Sequence, residues 1–174
     1  MQKLIKSKIR EIPDWPKKGV GFKDITPLLQ DPICFKKVID ELAKKFSNKK
    51  IDKIVGIDAR GFLLASAVAY KLGAGVAIVR KKGKLPYQCI MREYDLEYGT
   101  NCIEMHKDAI LPGERVAIID DVLATGGTAQ ACAKLVEQLK GKIVGIAFLM
   151  DLSFLKGKEK LKKYKVYSLI KYSR

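Results

Sequence analysis

Short aliphatic runs alternate with longer amphipathic ones through most of this chain, and that alternation limits the fold more than any single residue. IDKIVGI (51–57), GVAIVR (75–80), RVAIID (115–120) and KIVGIAFLM (142–150) read as strands buried on both faces. DPICFKKVIDELAKKF (31–46), GFLLASAVAYKLG (61–73) and TAQACAKLVEQLKG (128–141) read as helices. In the first helix Pro32 follows an aspartate cap, and Phe35, Val38, Ile39, Leu42, Ala43 and Phe46 fall on one face; Gly73 and Gly141 close the other two. Parallel strands need crossovers, and both sheet faces must then be covered. The expected fold is α/β, a doubly wound, mainly parallel sheet flanked by helices. With 174 residues, no repeat and no Gly/Ser hinge, a single domain over 1–174 is expected.

A net charge of +15 suits an acidic partner, and nucleic acid, a membrane surface and a polyphosphate metabolite all qualify; so does a lysine-rich background with no partner at all. Cys34, Cys89, Cys102 and Cys132 form no close pair, which argues against a zinc or thioredoxin-like motif and for reduced thiols. MQKLIKSKIREIPDW has no apolar export core, and FLLASAVAY and GIAFLM are too short to span a bilayer. A soluble, cytoplasmic protein is expected.

In a doubly wound sheet, ligands lie beyond the carboxyl ends of the strands. Three such ends carry charged or glycine-rich loops here: DARG, KKGK and DDVLATGGT. In VAIIDDVLATGGT (116–128), Ala124, Thr125, Gly126, Gly127 and Thr128 stand where a strand turns into a helix. Unsatisfied amides there point outward at the positive end of the helix dipole, small side chains let an anion approach, and two hydroxyls add donors. That is a seat for a phosphate monoester. Asp120 and Asp121 would repel a phosphate, so they face something else; vicinal hydroxyls suit them, and a ribose 5-phosphate offers both groups a few bonds apart. A Walker B strand is the rival reading, but no G-x-x-x-x-G-K-[ST] loop accompanies it.

VAIIDDVLATGGT resembles the phosphoribosyl pyrophosphate signature of the type I phosphoribosyltransferases. IPDWPKKGVGFKDITPLLQDP, VGIDARGF, VRKKGKLP, YDLEYG and LKGKEKL are similar, in order, to segments of that family's adenine branch. The resemblance implies a type I phosphoribosyltransferase fold with an N-terminal hood over 1–34 and a flexible β-hairpin lid over 86–108. It implies transfer of ribose 5-phosphate from phosphoribosyl pyrophosphate to adenine, giving AMP and pyrophosphate, with magnesium held mainly through substrate rather than by the protein. A homodimer is the implied assembly, and nucleic acid is not an implied partner.

The same resemblance assigns roles. Arg60, in DARG, suits pyrophosphate, being planar and permanently charged. Asp58 and Ala59, also assigned to pyrophosphate, flank a peptide that is often cis in similar enzymes, which turns an amide toward that group. Arg80, Lys81 and Lys84 in RKKGK reach pyrophosphate, some from a neighbouring subunit, whereas Lys82 belongs to a solvated face. YQCIMREYDLEYGTNCIEMHK (87–107) alternates around a turn and reads as a hairpin; within it Glu97 matches the family's acid/base at purine N7, and Tyr98 closes over the donor. Phe22 and Val122 pack the two faces of adenine, while backbone groups at Gly21 and Lys23 meet its Watson–Crick edge. Lys23 departs from the arginine found in many relatives. The 6-oxopurine enzymes usually carry a lysine in the strand after the signature helix, and IVGIAFLMDL has none. His106, the only histidine, has no nucleophile motif beside it and no assigned role. The lysine-rich tail LKGKEKLKKYKVYSLIKY reads as a solvated helix followed by a last strand. A nucleic-acid-binding regulator of the same fold, sensing phosphoribosyl pyrophosphate, is the alternative from another class; a 6-oxopurine transferase is a second.

Overall fold

A computed structural model describes residues 1–19, 21–95 and 100–173, and of Asp95 only the backbone. The chain runs α1 (Gln2–Ser7), β1 (Arg10–Ile12), β2 (Phe22–Asp24), α2 (Thr26–Gln30), α3 (Pro32–Lys44), β3 (Lys53–Ile57), α4 (Arg60–Leu72) and β4 (Gly75–Lys81). It continues with β5 (Cys89–Asp95), β6 (Thr100–His106), β7 (Arg115–Leu123), α5 (Gly127–Gln138), β8 (Lys142–Leu152), two 3₁₀ turns (Ser153–Leu155 and Gly157–Leu161) and β9 (Val166–Tyr172).

The main sheet has the order β5-β6-β4-β3-β7-β8-β9. Its β4-β3-β7-β8-β9 portion is parallel, and the β5–β6 hairpin adds antiparallel at the β4 edge. This is the doubly wound sheet that the alternation requires. One face buries Val38, Leu42, Leu64 and Val68 of α3 and α4 against Ile54, Ala117 and Ile119; the other buries Cys132, Leu135 and Val136 of α5 against Val55, Ile118 and Phe148. Burial of this kind, about 25 cal/mol per Å² of apolar surface, is the main force holding the layers together. The Asp31 carboxylate caps α3 by accepting from the amides of Ile33 and Cys34, at 3.0 and 2.9 Å. Gly73 ends α4 in the left-handed conformation, with φ +66°.

The structure differs from the sequence reading at three places. β7 does not stop at Asp120 but pairs with β8 as far as Leu123, because Val122 and Leu123 continue the apolar alternation on the two faces of the sheet. α5 ends at Gln138, and the positive φ at Lys140 (+63°) turns the chain before Gly141. The tail's expected helix is a pair of 3₁₀ turns, too short and too interrupted by Lys156 (φ +53°) to propagate as an α-helix.

β1 and β2 form a separate antiparallel pair outside the main sheet. β2 meets its last strand through Lys23, which sits over the Tyr172 ring at 4.7 Å, and α1 does so through Gln2 Nε2, which donates to the Leu169 carbonyl at 3.2 Å.

Candidate active site

β3, β4 and β7 are adjacent and parallel, so Asp58–Arg60, the end of β4 at Lys81 and the 124–128 loop emerge at one edge of the sheet. β6 runs antiparallel to β4 and pairs with it at Arg80–Glu104 and Lys81–Ile103. Its first residues therefore project past the end of β4, toward that same edge. The result is a cavity of about 380 Å³, within the range of small-molecule sites.

Asp58, Ala59, Arg60, Lys81, Asp120, Asp121, Val122, Ala124, Thr125, Gly126 and Thr128 all line it. Gly127 lies just behind, buried at the start of α5. Gly126 caps the helix with φ +79°, a conformation that glycine adopts freely. The first amides of this 12-residue helix consequently open toward the cavity without a side-chain cap.

The two aspartates sit on a strand, where neighbouring side chains alternate between faces. Asp120 lies on the α4 side with Val122, and a Cβ placed on Gly61 would come within 2.6 Å of Asp120 Oδ1. Gly61 thus lets the first turn of α4 rest directly on the acid. Asp120 Oδ1 also accepts from the Asp121 amide at 2.9 Å. Asp121 is only 4% exposed, and Arg60 Nη2 lies 2.8 Å from its Oδ2, although the pair lacks the alignment of a hydrogen bond. Burial pushes the Asp120 carboxyl well above the ordinary range, and the neighbouring Asp121 charge reinforces the effect. Burial raises Asp121 as well, with the Arg60 guanidinium opposing it.

Arg60 also stands 4.9 Å from the centre of the Phe22 ring, so one guanidinium bridges the acid pair and the β1–β2 segment. Phe22 itself packs edge-on to Trp15, with ring centroids 4.4 Å apart. Gly21, Phe22 and Lys23 are outside the cavity wall. The Lys23 ammonium is bound 2.6 Å from Glu11, its partner across the β1–β2 pair.

Arg80 and Lys84 are not in the wall either. Arg80 Nε donates to Asp58 Oδ2 at 3.2 Å, and its Nη1 donates to the Lys84 carbonyl at 3.1 Å. The arginine thereby braces the β3 loop against the β4 loop. The Asp58–Ala59 peptide is cis, as the resemblance implied. Glu97 and Tyr98 lie outside the described residues.

Sequence reasoning missed three residues near the mouth. Tyr94 and Asn101, paired across the hairpin, line the cavity; alternation along β5 and β6 could have shown which hairpin residues face inward, had the register with β4 been known. Glu104, 4% exposed, accepts from the amides of Lys84 and Leu85 at 2.8 Å each and shapes the basic loop. Burial would raise its carboxyl, but the Leu85, Gly83 and Lys84 amides hold it below the ordinary range. No signal in the sequence marks it, since its partners are backbone groups twenty residues away.

Comparison with known proteins agrees with this geometry. The phosphoribosyl transferase domain family matches residues 25–173. An adenine phosphoribosyltransferase of Alkaliphilus metalliredigens is 57% identical over 166 residues, covering 95% of this chain and 98% of that one. The crystal structure of the Thermoanaerobacter pseudethanolicus adenine phosphoribosyltransferase superposes with a TM-score of 0.96 at 53% identity, over 99% of this chain and 100% of that one. The Saccharomyces cerevisiae adenine phosphoribosyltransferase, solved with an imino-altritol bisphosphate and adenine, superposes with a TM-score of 0.91 at 41% identity, over 97% of both chains. With a glycine-rich strand-to-helix loop, an adjacent acid pair of which Asp121 is buried, and likeness along nearly its whole length, the chain belongs to the phosphoribosyl transferase domain family, in its adenine phosphoribosyltransferase branch.

Proposed function

We propose that this protein transfers ribose 5-phosphate from phosphoribosyl pyrophosphate to N9 of adenine, releasing pyrophosphate and forming AMP, as a purine-salvage enzyme. One observation carries the reading: the 124–128 loop, the acid pair and Arg60 wall a single cavity. A phosphate monoester, a sugar diol and a departing pyrophosphate need those three surfaces at neighbouring points.

The 5-phosphate rests on the amides of 124–128, with the Thr125 and Thr128 hydroxyls donating to it. Asp120 and Asp121 accept from the ribose 2- and 3-hydroxyls. The anomeric C–O bond breaks with its electron pair passing to pyrophosphate, and N9 of adenine forms the new bond to the same carbon. Arg60, exchanging Asp121 for the leaving group, meets the charge that develops there, as do the amides at Asp58 and Ala59 and the cations Arg80, Lys81 and Lys84. Adenine lies between Phe22 and Val122, with the backbone at Gly21 and Lys23 reading its edge. Glu97 manages the proton at N7 while N9 reacts, and Tyr98 closes over the donor. Residues 1–34 act as the hood and 86–108 as the lid that keeps water from the reacting sugar.

Among the described residues no group of three His, Cys, Asp or Glu gathers to cage a metal, and Asp121 is already engaged by Arg60. Magnesium, held mainly through the donor rather than by the protein, would offset the charge of the departing pyrophosphate. A homodimer in the cytoplasm completes the reading. Among the described residues no helix is long and apolar enough to cross a membrane.

Offering adenine, hypoxanthine, guanine and xanthine separately with donor and magnesium tests the reading. Product with adenine alone is the expected result, and product with a 6-oxopurine instead overturns it. Glu97→Ala is expected to lower kcat about a hundredfold or more while leaving donor affinity nearly unchanged; near-normal turnover removes Glu97 from the mechanism.

A further inference from the structure

The segment LKGKEKL (155–161) takes no part in the chemistry above, yet its backbone presses against the loop on which the donor's phosphate is proposed to rest. A Cβ on Gly126 would overlap the Gly157 carbonyl oxygen. In return, a Cβ on Gly157 would overlap the Ala124 carbonyl oxygen and lie 3.0 Å from both the Gly126 amide nitrogen and Leu123 Cδ1. Two stretches of main chain therefore meet with no side chain between them. Gly126 is also required by its φ of +79°. Gly157 begins a 3₁₀ turn outside the left-handed region, so the space, not the backbone angle, demands glycine there.

The turn that carries Gly157 is fastened on several sides. Lys158 Nζ lies 3.0 Å from Oδ2 of Asp151, which is 2% exposed near the end of β8. Gln130 of α5 donates to the Lys160 carbonyl at 3.0 Å, and Leu161 is fully buried in the core. Just beyond, Lys163 and Tyr164 both donate to Glu137 of α5, at 2.6 and 3.1 Å. The contact with 124–126 is thus made by a held element rather than by a loose tail.

We propose that Gly157 is a positioning residue for donor binding: its missing side chain lets the 157–161 turn buttress the 124–126 backbone and fix the direction of the amides that grip the monoester. This rests on the reading of 124–128 as the phosphate seat. A Cβ at Gly157 displaces that backbone, and a misplacement of about 1 Å in a binding loop is enough to cost tenfold or more.

Steady-state kinetics on three variants test it, with melting temperatures measured alongside. Gly157→Ala is expected to raise the donor KM roughly tenfold, with kcat within about threefold and adenine KM unchanged, the signature of lost uniform binding. Gly145→Ala is the control for crowding alone. A Cβ there would meet Tyr167 Cε2 at 3.1 Å and the Lys165 carbonyl at 3.2 Å, far from the loop, and it should lower Tm without moving the donor KM. Thr128→Ala, in the seat itself, should raise the donor KM. If Thr128→Ala raises it and Gly157→Ala does not, the positioning role is wrong. If neither does, the phosphate-seat reading is what has failed. Should Gly157→Ala not fold, Lys158→Ala loosens the same turn without adding bulk, and a donor KM rise of about threefold is expected at unchanged adenine KM; no rise there overturns the proposal.

Discussion

The proposed seat at the end of β7 lines the cavity whereas the β1–β2 pair stands outside its wall, and the two are built in opposite ways. The seat is main chain: strand β7, the 124–128 loop and the first turn of α5, backed by buried Leu123, Ala129 and Cys132 and pressed from behind by Gly157. The β1–β2 pair is made of two three-residue strands, with Trp15 half-exposed in the connection between them and the largely buried Lys23 side chain tied to the exposed Glu11. Backbone fixed by a core changes shape little, whereas an outlying pair of short strands can adjust. On the proposed assignments, the phosphate would meet a preformed surface and the base one that can settle onto it. Arg60 touches both, through Asp121 on one side and Phe22 on the other.

The largest expected effect comes from that link. Arg60→Ala removes the cation proposed to meet pyrophosphate and strands a buried Asp121, so kcat/KM should fall by roughly 10²–10³; a loss under tenfold in a steady-state assay would mean Arg60 is merely structural. Next is Phe22→Ala, expected to raise adenine KM about ten- to hundredfold through lost stacking. Donor KM should stay put, and a matching rise in donor KM would erase the distinction between the two regions.

Asp120→Asn sharpens the comparison from the stability side. Because the folded carboxyl is raised above its ordinary value of 3.8, the folded protein holds a proton that the unfolded chain gives up. This contribution to stability is full below the unfolded value and is lost as pH rises through the folded one, so raising the pH toward neutrality works against folding. The amide keeps the acceptor for the Asp121 amide but not the charge. At pH 7 calorimetry should show Tm higher by roughly 2–6 °C while activity drops; an unchanged or lower Tm would refute the burial argument.

In the β1–β2 region the sign reverses. The Asp24 carboxyl is held below its ordinary range, first by the Thr26 amide at 2.9 Å and then, against burial, by the Thr26 hydroxyl and by Arg10. Its contribution is present above the unfolded value of 3.8 and is lost as pH falls through the lowered folded one. Asp24→Asn should therefore lower Tm at pH 7, with the difference shrinking as the pH falls below 3.8. The smallest effect is Lys23→Arg, expected to change adenine KM by no more than about twofold, since Lys23 spends its charge on Glu11 and the Tyr172 ring. A large change would move Lys23 into base recognition.

Local pattern carried much of this. The aliphatic runs identified the parallel strands, the Asp31-Pro32 pair and Gly73 marked helix ends, and the strand ends pointed to DARG, KKGK and DDVLATGGT as neighbours. The boundary errors have a common cause: at Val122–Leu123 and at the 3₁₀ turns, sheet pairing and close backbone contacts outweighed local propensity.

The sequence by itself determined the layered α/β sheet and the residues at its carboxyl edge, because periodicity and turn chemistry act over a few residues. Only the tertiary structure decided that Arg60 spans Asp121 and Phe22, that Arg80 braces Asp58, that Glu104 ties down the basic loop, and that Gly157 abuts Gly126. Each of those joins segments nineteen or more residues apart, and such contacts are set by how whole elements pack, which no local stretch of chain encodes.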